Sequence, residues 1–344
     1  RPVTNSDLSD RSAIVGWLGL CCLLVFCMVV LGGVTRLTDS GLSMVRWEPV
    51  SGMLPPLSQV AWQAEFDHYR QFPEYQKVNA GMSLDEFKTI FYFEYAHRML
   101  GRAIGLVFAV GFLWLWLRRR LSRSLIPHLI VMFVLGAMQG LLGWYMVKSG
   151  LVDLPDVSQY RLTAHLGLAI LIYLYMLWVI FILLERKPAA PVPHGMHRAT
   201  VGLGLLTFVT VLSGGFVAGL KAGHAFNTFP LMAGQWIPPG YLALEPMWRN
   251  LFENIPSVQF NHRLLAIMTF TLVLVFVFQA VRNKALAGFR RPVITLAGVV
   301  TLQVALGIST LLWYVPVALA AAHQAVALLL LSVSLYVVFR FRRT

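Results

Sequence analysis

Glu94, His97 and Arg98 are the residues of this sequence whose types and spacing best allow chemistry. A carboxylate and an imidazole three residues apart share one face of a helix, and a guanidinium follows directly. The three side chains stand at the start of an apolar run, where charged and titratable groups are costly unless a cofactor, an ion or a partner satisfies them. We therefore interpret them as a candidate functional site at the mouth of a membrane helix.

The histidine and arginine of this site recur together as His262 and Arg263. A further histidine follows each pair, His165 in the first half of the chain and His323 in the second. Each of the four is expected near the outer end of a membrane helix, so all four should lie at similar depth. The pattern indicates an internal repeat with two histidines in each copy.

The spacing of two glutamines supports the repeat. Gln139 follows His97 by 42 residues and Gln303 follows His262 by 41, and each glutamine precedes a glycine by four positions. We interpret these glutamines and glycines as sites of close packing and interhelical hydrogen bonding. A double glycine also recurs, at 32–33 and 214–215.

The elements that must position these residues are membrane helices. The 344 residues are 58% hydrophobic and 12% charged, with a mean hydropathy of +0.68, which is too apolar for a soluble globule. Six runs nearly free of charge have about the 20 residues needed to cross a bilayer: 12–35, 97–117, 124–147, 162–184, 199–220 and 264–281. A seventh run, 292–339, is about twice as long and is interrupted at 313–316, which predicts two helices joined by a tight turn. The sequence thus predicts eight spans.

The predicted fold is an all-α integral membrane protein made of two four-helix bundles. An even number of spans in each half preserves orientation, so the bundles should be related by a pseudo-two-fold axis along the membrane normal. The N-terminal bundle takes residues 1–188 with a long outer loop at 38–93. The C-terminal bundle takes residues 189–344 with an outer loop at 221–259.

Local signals predict structure inside the first long loop. Residues 59–71 carry Trp62, Phe66 and Tyr69 at helical spacing, which indicates a short amphipathic helix. Ser83 and Glu86 form the pattern of a capping box, which would begin the helix that carries the candidate site.

The net charge of +13 is explained by membrane orientation. If the N-terminus is inside, the inner segments hold 16 of the 28 Lys and Arg residues but only three acidic residues. This is the positive-inside pattern of a membrane protein, and it argues against nucleic acid as a partner. We predict both termini on the inner side, lipid as the surrounding partner and the four histidines toward the outer side.

Two helical histidines that face each other across a bundle at one depth suit the axial ligation of a haem iron. The sequence therefore predicts two haem sites, one formed by His97 and His165 and the other by His262 and His323. One alternative to haem ligation is that the histidines are hydrogen-bonded residues at the membrane interface. A second alternative is a zinc or copper site. Candidate partners for haem propionates are the arginines Arg98, Arg102 and Arg263, which could equally be interface anchors.

The two halves differ at one position that matters for chemistry. Glu94 stands three residues before its histidine, whereas the neutral Gln259 takes that place in the second half. This asymmetry suggests that the first site performs chemistry and that the second transfers electrons.

Over nearly its whole length the chain resembles the haem A synthase family. The residues that carry the resemblance are the segments 32–38 (GGVTRLT), 41–44 (GLSM), 94–98 (EYAHR), 139–150 (QGLLGWYMVKSG), 159–161 with His165, 261–263 (NHR) and 323–324. They are most similar to the mitochondrial and proteobacterial branch. The cysteine pair that another bacterial branch carries in its first outer loop is absent here, so a thiol relay is not expected.

The resemblance implies an oxidoreductase that converts a methyl group of haem O to a formyl group by successive hydroxylations, with water as the oxygen source, giving haem A for cytochrome oxidase. It implies haem B as cofactor on His262 and His323, and haem O or haem A as substrate or product on His97 and His165. Glu94 is the candidate catalytic residue, as a base or as an electrostatic stabiliser.

The resemblance also implies a location and partners. The membrane would be the bacterial cytoplasmic or the mitochondrial inner membrane. The partners would be haem O synthase, cytochrome oxidase assembly factors and an unidentified electron acceptor, and a homo-oligomer is left open. The alternative function is that of a quinone-linked di-haem cytochrome b, which would share the histidine pairs but need no distinguishing carboxylate.

Overall fold

The structure of the protein, a computed structural model, describes residues 5–45, 54–150, 156–185 and 192–342. These residues form ten α-helices and no β-strand. The helices are α1 (Asn5–Leu37), α2 (Gln59–Tyr69), α3 (Pro73–Lys77), α4 (Leu84–Leu117), α5 (Ile126–Gly150), α6 (Gln159–Leu184), α7 (His194–Gly219), α8 (Ile255–Arg282), α9 (Arg290–Leu312) and α10 (Val317–Phe341).

Eight of these helices are long and apolar enough to cross a membrane, which confirms the predicted number of spans. Only α2 and α3 are too short. In the most apolar stretch of α5, 6% of the residues are buried inside the protein, so most of its Leu, Val and Phe side chains face outward. An outward apolar surface of this kind is stable against lipid and would be unfavourable in water.

Side-chain caps decide where two of the site-bearing helices begin. At α4 the Ser83 hydroxyl accepts a hydrogen bond from the Glu86 N–H while the Glu86 carboxylate accepts from the Ser83 N–H, so the predicted capping box is confirmed. At α8 the Asn254 side chain accepts from the Ser257 N–H. Both helices therefore begin well before their apolar runs, and His97 and His262 lie inside them and not at their first turns.

The described residues divide into two compact units, Arg1–Ile172 and Tyr173–Thr344. The predicted boundary between residues 188 and 189 falls outside the described ranges and stays a prediction, as do the two-fold relation and the side on which the termini lie. In the first unit α4 packs against α1 and α5. The Trp17 indole donates a hydrogen bond to the Val107 carbonyl at 3.0 Å and occupies space that any side chain on Gly111 would fill.

In the second unit, α7 packs on α8, α8 on α9, α9 on α10 and α10 on α7, which closes a ring of four helices. A buried core lies inside this ring and includes Val273, Phe276, Leu296, Val300 and Leu330. The turn between α9 and α10 runs through Tyr314 and Val315, both with φ of 59°. The predicted turn at 313–316 is confirmed.

The loop after α1 has a small core of its own. Trp62, Phe66 and Tyr69 of α2 are buried against Phe87 and Phe91 of α4, so the predicted amphipathic helix is confirmed. Residues 46–53 of this predicted loop lie outside the described ranges.

A buried carboxyl group lies beside this core. Glu74 is only 4% exposed and accepts a hydrogen bond from the Tyr69 hydroxyl at 3.1 Å, and that hydroxyl accepts one from the Asn79 amide at 2.8 Å. Burial raises the pKa of Glu74 from 4.5 to about 8. The protonated form is therefore the one that the folded loop accommodates.

We predict that the loop after α1 loses stability as the pH rises from about 4.5 to about 8. In that window the folded loop keeps the Glu74 proton while the unfolded loop has lost it, so unfolding becomes more favourable with pH. A pKa unit corresponds to about 1.4 kcal/mol, so the loss should be of the order of a few kcal/mol. Hydrogen exchange of peptides from 59–82 at pH 5.5 and 8.5, corrected for intrinsic rates, measures it.

The matched variant is Glu74→Gln, which keeps an acceptor for Tyr69 but cannot ionise. Its peptides should show nearly the same protection at both pH values and more protection than wild type at pH 8.5. Protection that rises with pH in wild type would contradict the prediction.

Candidate functional site

The four histidines lie on four different membrane helices, two in each unit. His97 on α4 and His165 on α6 belong to the first unit, and His262 on α8 and His323 on α10 belong to the second. All four side chains are half-buried.

Each histidine ring is packed against a glycine of the preceding membrane helix. A Cβ added to that glycine would lie 2.8 to 3.2 Å from the Cε1 atom of the ring, which is tighter than side chains normally allow. The contacts are Gly32 with His97 at 3.0 Å, Gly143 with His165 at 2.9 Å, Gly214 with His262 at 3.2 Å and Gly307 with His323 at 2.8 Å. We call these four contacts the glycine cradles.

The cradles explain the repeat in the sequence. The first glycine of each double glycine faces the first histidine of its half, and the glycine four positions after each glutamine faces the second. Sequence reasoning identified these glycines as packing positions but did not pair them with the histidines. The recurring spacing was the signal that could have done so.

The two glutamines lie beside the second histidine of each half. Gln139 donates a hydrogen bond from its side-chain amide to the backbone carbonyl of His165 at 3.0 Å, and its Nε2 lies 3.4 Å from the ring Nε2. Gln303 stands 3.5 Å from Nε2 of His323. This agrees with the interhelical role predicted for both glutamines.

The residues fit a haem in each half. The two imidazoles of each unit would supply the protein ligands of a haem iron. In His97, His165 and His323 the Nδ1 atom is buried and has no hydrogen-bond partner among the described residues, although each residue as a whole is half-buried. For His97 this leaves Nε2 as the nitrogen that could face a ligand, whereas Nε2 of His165 and of His323 lies beside the amide nitrogen of Gln139 and of Gln303, which a ligand there would displace. A bare metal ion would need more donors, and the described residues contain no group of three or more His, Cys, Asp and Glu side chains.

Glu94 is 3% exposed, and both of its carboxylate oxygens are engaged. Oε2 accepts hydrogen bonds from the Ser43 hydroxyl at 2.8 Å and from the Met44 N–H at 2.7 Å. Oε1 pairs with the Arg98 guanidinium at 2.5 Å, and Arg98 also donates to the Met44 carbonyl at 2.7 Å. Glu94 and Arg98 thus fasten the loop after α1 to the helix that carries His97.

The second unit has the same fastening without the carboxylate. Gln259 donates to the Phe226 carbonyl at 3.1 Å, and Arg263 donates to the same carbonyl at 2.9 Å. Arg263 makes a further bond to the Thr228 carbonyl at 2.8 Å. In both units, the residue three before the histidine and the arginine after it hold the loop that follows the first helix. Sequence reasoning considered these arginines only for propionates and interfaces, and missed this contact.

Arg102 lies one turn beyond Arg98 on α4. Its guanidinium donates to the Met99 sulfur at 3.4 Å.

Comparison with known proteins places this architecture in a family. A family model described as cytochrome oxidase assembly protein (COX15-CtaA) matches residues 15–335. The chain is 52% identical to the heme A synthase of Nitrosospira multiformis, with 99% of this chain and 96% of that protein covered. It is 50% identical to the heme A synthase of Nitrosomonas eutropha, with 97% and 95% covered.

A mammalian relative shows the same similarity. The chain is 46% identical to the mouse heme A synthase COX15, with 99% of this chain and 85% of that protein covered. The matches extend over all eight membrane helices and both pairs of histidines. This chain therefore belongs to the COX15-CtaA family of cytochrome oxidase assembly proteins.

Proposed function

We propose that this protein is a haem A synthase, an oxidoreductase that converts a methyl group of haem O to the formyl group of haem A for cytochrome oxidase. The observation that carries the proposal is the pair of histidines held in glycine cradles in each half of the chain. Three relatives that are named heme A synthases are 46% to 52% identical to this chain, which supports the same activity.

The two sites have different tasks in this proposal. His97 and His165 hold the substrate haem, and His262 and His323 hold haem B. The assignment rests on the carboxylate, because Glu94 is part of the first site and the neutral Gln259 occupies its place in the second. The cofactor supplies one-electron redox chemistry when bound.

The reaction sets what the protein has to provide. With water as the oxygen source, R–CH3 + H2O gives R–CHO + 4 H⁺ + 4 e⁻, so four electrons must leave for an acceptor and four protons must be released. Removing electrons from a methyl group builds positive charge on its carbon. A fixed anion beside that carbon lowers the barrier because it needs no reorganisation during the reaction.

The contacts of Glu94 favour this electrostatic role over that of a base. Its two oxygens accept three hydrogen bonds, one of them from a guanidinium, so the lone pairs that a base would use are already engaged. A carboxylate held in this way keeps its position. Arg98 thereby orients the carboxylate as well as the loop.

Arg98, Arg102 and Arg263 each lie on the helix that carries the first histidine of its unit. A guanidinium suits a carboxylate because it can donate two parallel N–H bonds to the two oxygens. We therefore retain all three as propionate partners, in a membrane that is the bacterial cytoplasmic or the mitochondrial inner membrane, with the haem sites toward its outer side.

A di-haem electron-transfer cytochrome is the second candidate. The observation that favours it is the likeness of the two halves, since the cradles are present in both. A cytochrome of this kind would hold haem B at both sites and would have no use for a carboxylate in one of them.

Pigment analysis tests the function and the role of Glu94 together. Haem extracted from purified wild-type protein, made in cells that supply haem O, should contain haem B together with haem O or haem A. In Glu94→Gln both haems should remain, while the yield of haem A should fall by about 10²- to 10³-fold, which is typical for loss of one preorganised electrostatic contact. Haem B alone in wild type would support the cytochrome instead.

Ser43→Ala is the matched control for the loop contact of Glu94. It removes one hydrogen bond to the carboxylate and keeps the charge, so the haem A yield should fall only several-fold. A loss as large as that of Glu94→Gln would show that loop anchoring, and not the charge, is what the reaction needs.

The cradles predict the haem content of glycine variants. A methyl group at Gly143 or Gly307 would collide with the ring of His165 or His323, so Gly143→Ala and Gly307→Ala should each bring the haem-to-protein ratio from about two toward one. The pyridine haemochrome spectrum of purified protein measures this ratio.

The controls lie on the same helices. Apart from the backbone of the same helix, no atom of the described residues lies within 4 Å of a Cβ added to Gly140 on α5 or Gly298 on α9, so alanine there should leave the ratio unchanged. Equal haem loss in the control variants would show that the effect arises from the helix and not from the cradle.

A further inference from the structure

One of the four histidines, His262, has a serine hydroxyl group beside its Nδ1 atom. The Ser213 Oγ lies 2.7 Å from Nδ1 of His262, on the side of the ring away from Nε2. The same oxygen lies 2.7 Å from the Thr210 carbonyl, one turn earlier on α7. Ser213 directly precedes Gly214, the cradle glycine of this histidine.

The two contacts of Ser213 fix the tautomer of His262. A serine hydroxyl has a single proton, and a carbonyl oxygen can only accept, so that proton must point to Thr210. The hydroxyl oxygen is then an acceptor, and the hydrogen of the neutral imidazole must be on Nδ1. This leaves the lone pair of Nε2 free, which is the form that binds iron.

The corresponding place in the first unit has no such group. Gly32 is the cradle glycine of His97, and the residue before it is Leu31. Nδ1 of His97 is buried without a hydrogen-bond partner among the described residues, as are those of His165 and His323. Of the four candidate ligands, His262 is therefore the one whose Nδ1 has a side-chain partner within hydrogen-bond distance in the described part of the chain.

An acceptor on Nδ1–H has known effects on a ligating histidine. It holds the ring in one orientation and increases the electron donation of Nε2, and its loss typically lowers metal affinity by 10- to 100-fold. Stronger donation also favours the oxidised iron over the reduced iron. A haem that stays in the protein benefits from such a ligand, whereas a haem that must leave as product does not.

We propose that Ser213 is a positioning residue that retains the haem of the second unit, and that Leu31 leaves the haem of the first unit exchangeable. This inference rests on the proposed function, in which the second haem is the resident cofactor and the first is the substrate. It adds a physical reason why two sites with the same ligands and the same cradles differ in residence time.

The test measures haem release and redox potential in the purified holoprotein. Ser213→Ala should raise the rate at which haem B passes to excess apomyoglobin by about 10- to 100-fold and should shift the midpoint potential of that haem upward. Ser213→Thr keeps a hydroxyl and should restore both values toward wild type. Unchanged release and potential in Ser213→Ala would overturn the proposal.

The reciprocal variant supplies a second, independent readout. Leu31→Ser places a hydroxyl before the cradle glycine of His97 and should slow release of the haem O or haem A pigment, and release as fast as in wild type would count against the proposal. Ser332→Ala, which removes a hydroxyl bonded to the Leu328 carbonyl and to Tyr173, controls for hydroxyl loss in a membrane helix and should change neither release rate.

These outcomes distinguish a failure of the role of Ser213 from a failure of the proposed function. If Ser213→Ala changes nothing while wild type still yields haem A, the role of Ser213 fails and the proposed function stands. If wild type contains haem B alone, the proposed function fails whatever Ser213 does.

Discussion

The contact on which the site depends is that between each histidine ring and the backbone of a neighbouring helix. At these four places any residue larger than glycine would meet the ring at 2.8 to 3.2 Å. Close approach of this kind is the usual consequence of small residues in membrane helices, where association depends on packing and hydrogen bonds more than on the hydrophobic effect. Here it also limits where the imidazole lies, because a helix backbone occupies one side of the ring.

The loops are tied to the same helices that carry the first histidine of each pair. In both units an arginine directly after that histidine holds a carbonyl of the loop that follows the first helix. Buried guanidinium and carboxylate groups are unfavourable unless their hydrogen bonds are satisfied, and the loop backbone provides that satisfaction. One helix turn thus positions the loop and the first histidine of each unit, and in the first unit it also positions the Glu94 carboxylate. The carboxylate in the first unit has an anchoring contact as well as a proposed chemical role, which is why its variants need the Ser43 control.

Much of the fold could be predicted from the sequence. The eight spans follow from the length of the apolar runs, the break between α9 and α10 from residues 313–316, and the start of α4 from Ser83 and Glu86. These signals are local, so they survive in a single sequence. The presence of two helical histidines in each unit was predictable because the repeat places two of them in each half.

The contacts between distant segments could not be predicted. Nothing in the local sequence around Ser43 indicates that it donates to a carboxylate 51 residues away, and Ser213 is an ordinary helix residue until His262 is placed beside it. The arginines were expected at propionates or interfaces, yet their described partners include loop carbonyls. Polar contacts of this kind depend on how helices pack, which periodicity and composition do not determine.

In the proposed function, the first pair of histidines holds the substrate haem and the second pair holds the cofactor. Separating the haems extracted from purified His97→Ala and His262→Ala proteins tests it most directly. The account predicts that His97→Ala keeps haem B and loses haem O and haem A, and that His262→Ala loses haem B and accumulates haem O without converting it. Loss of the same haem in both variants, or haem A formation in either, would contradict it.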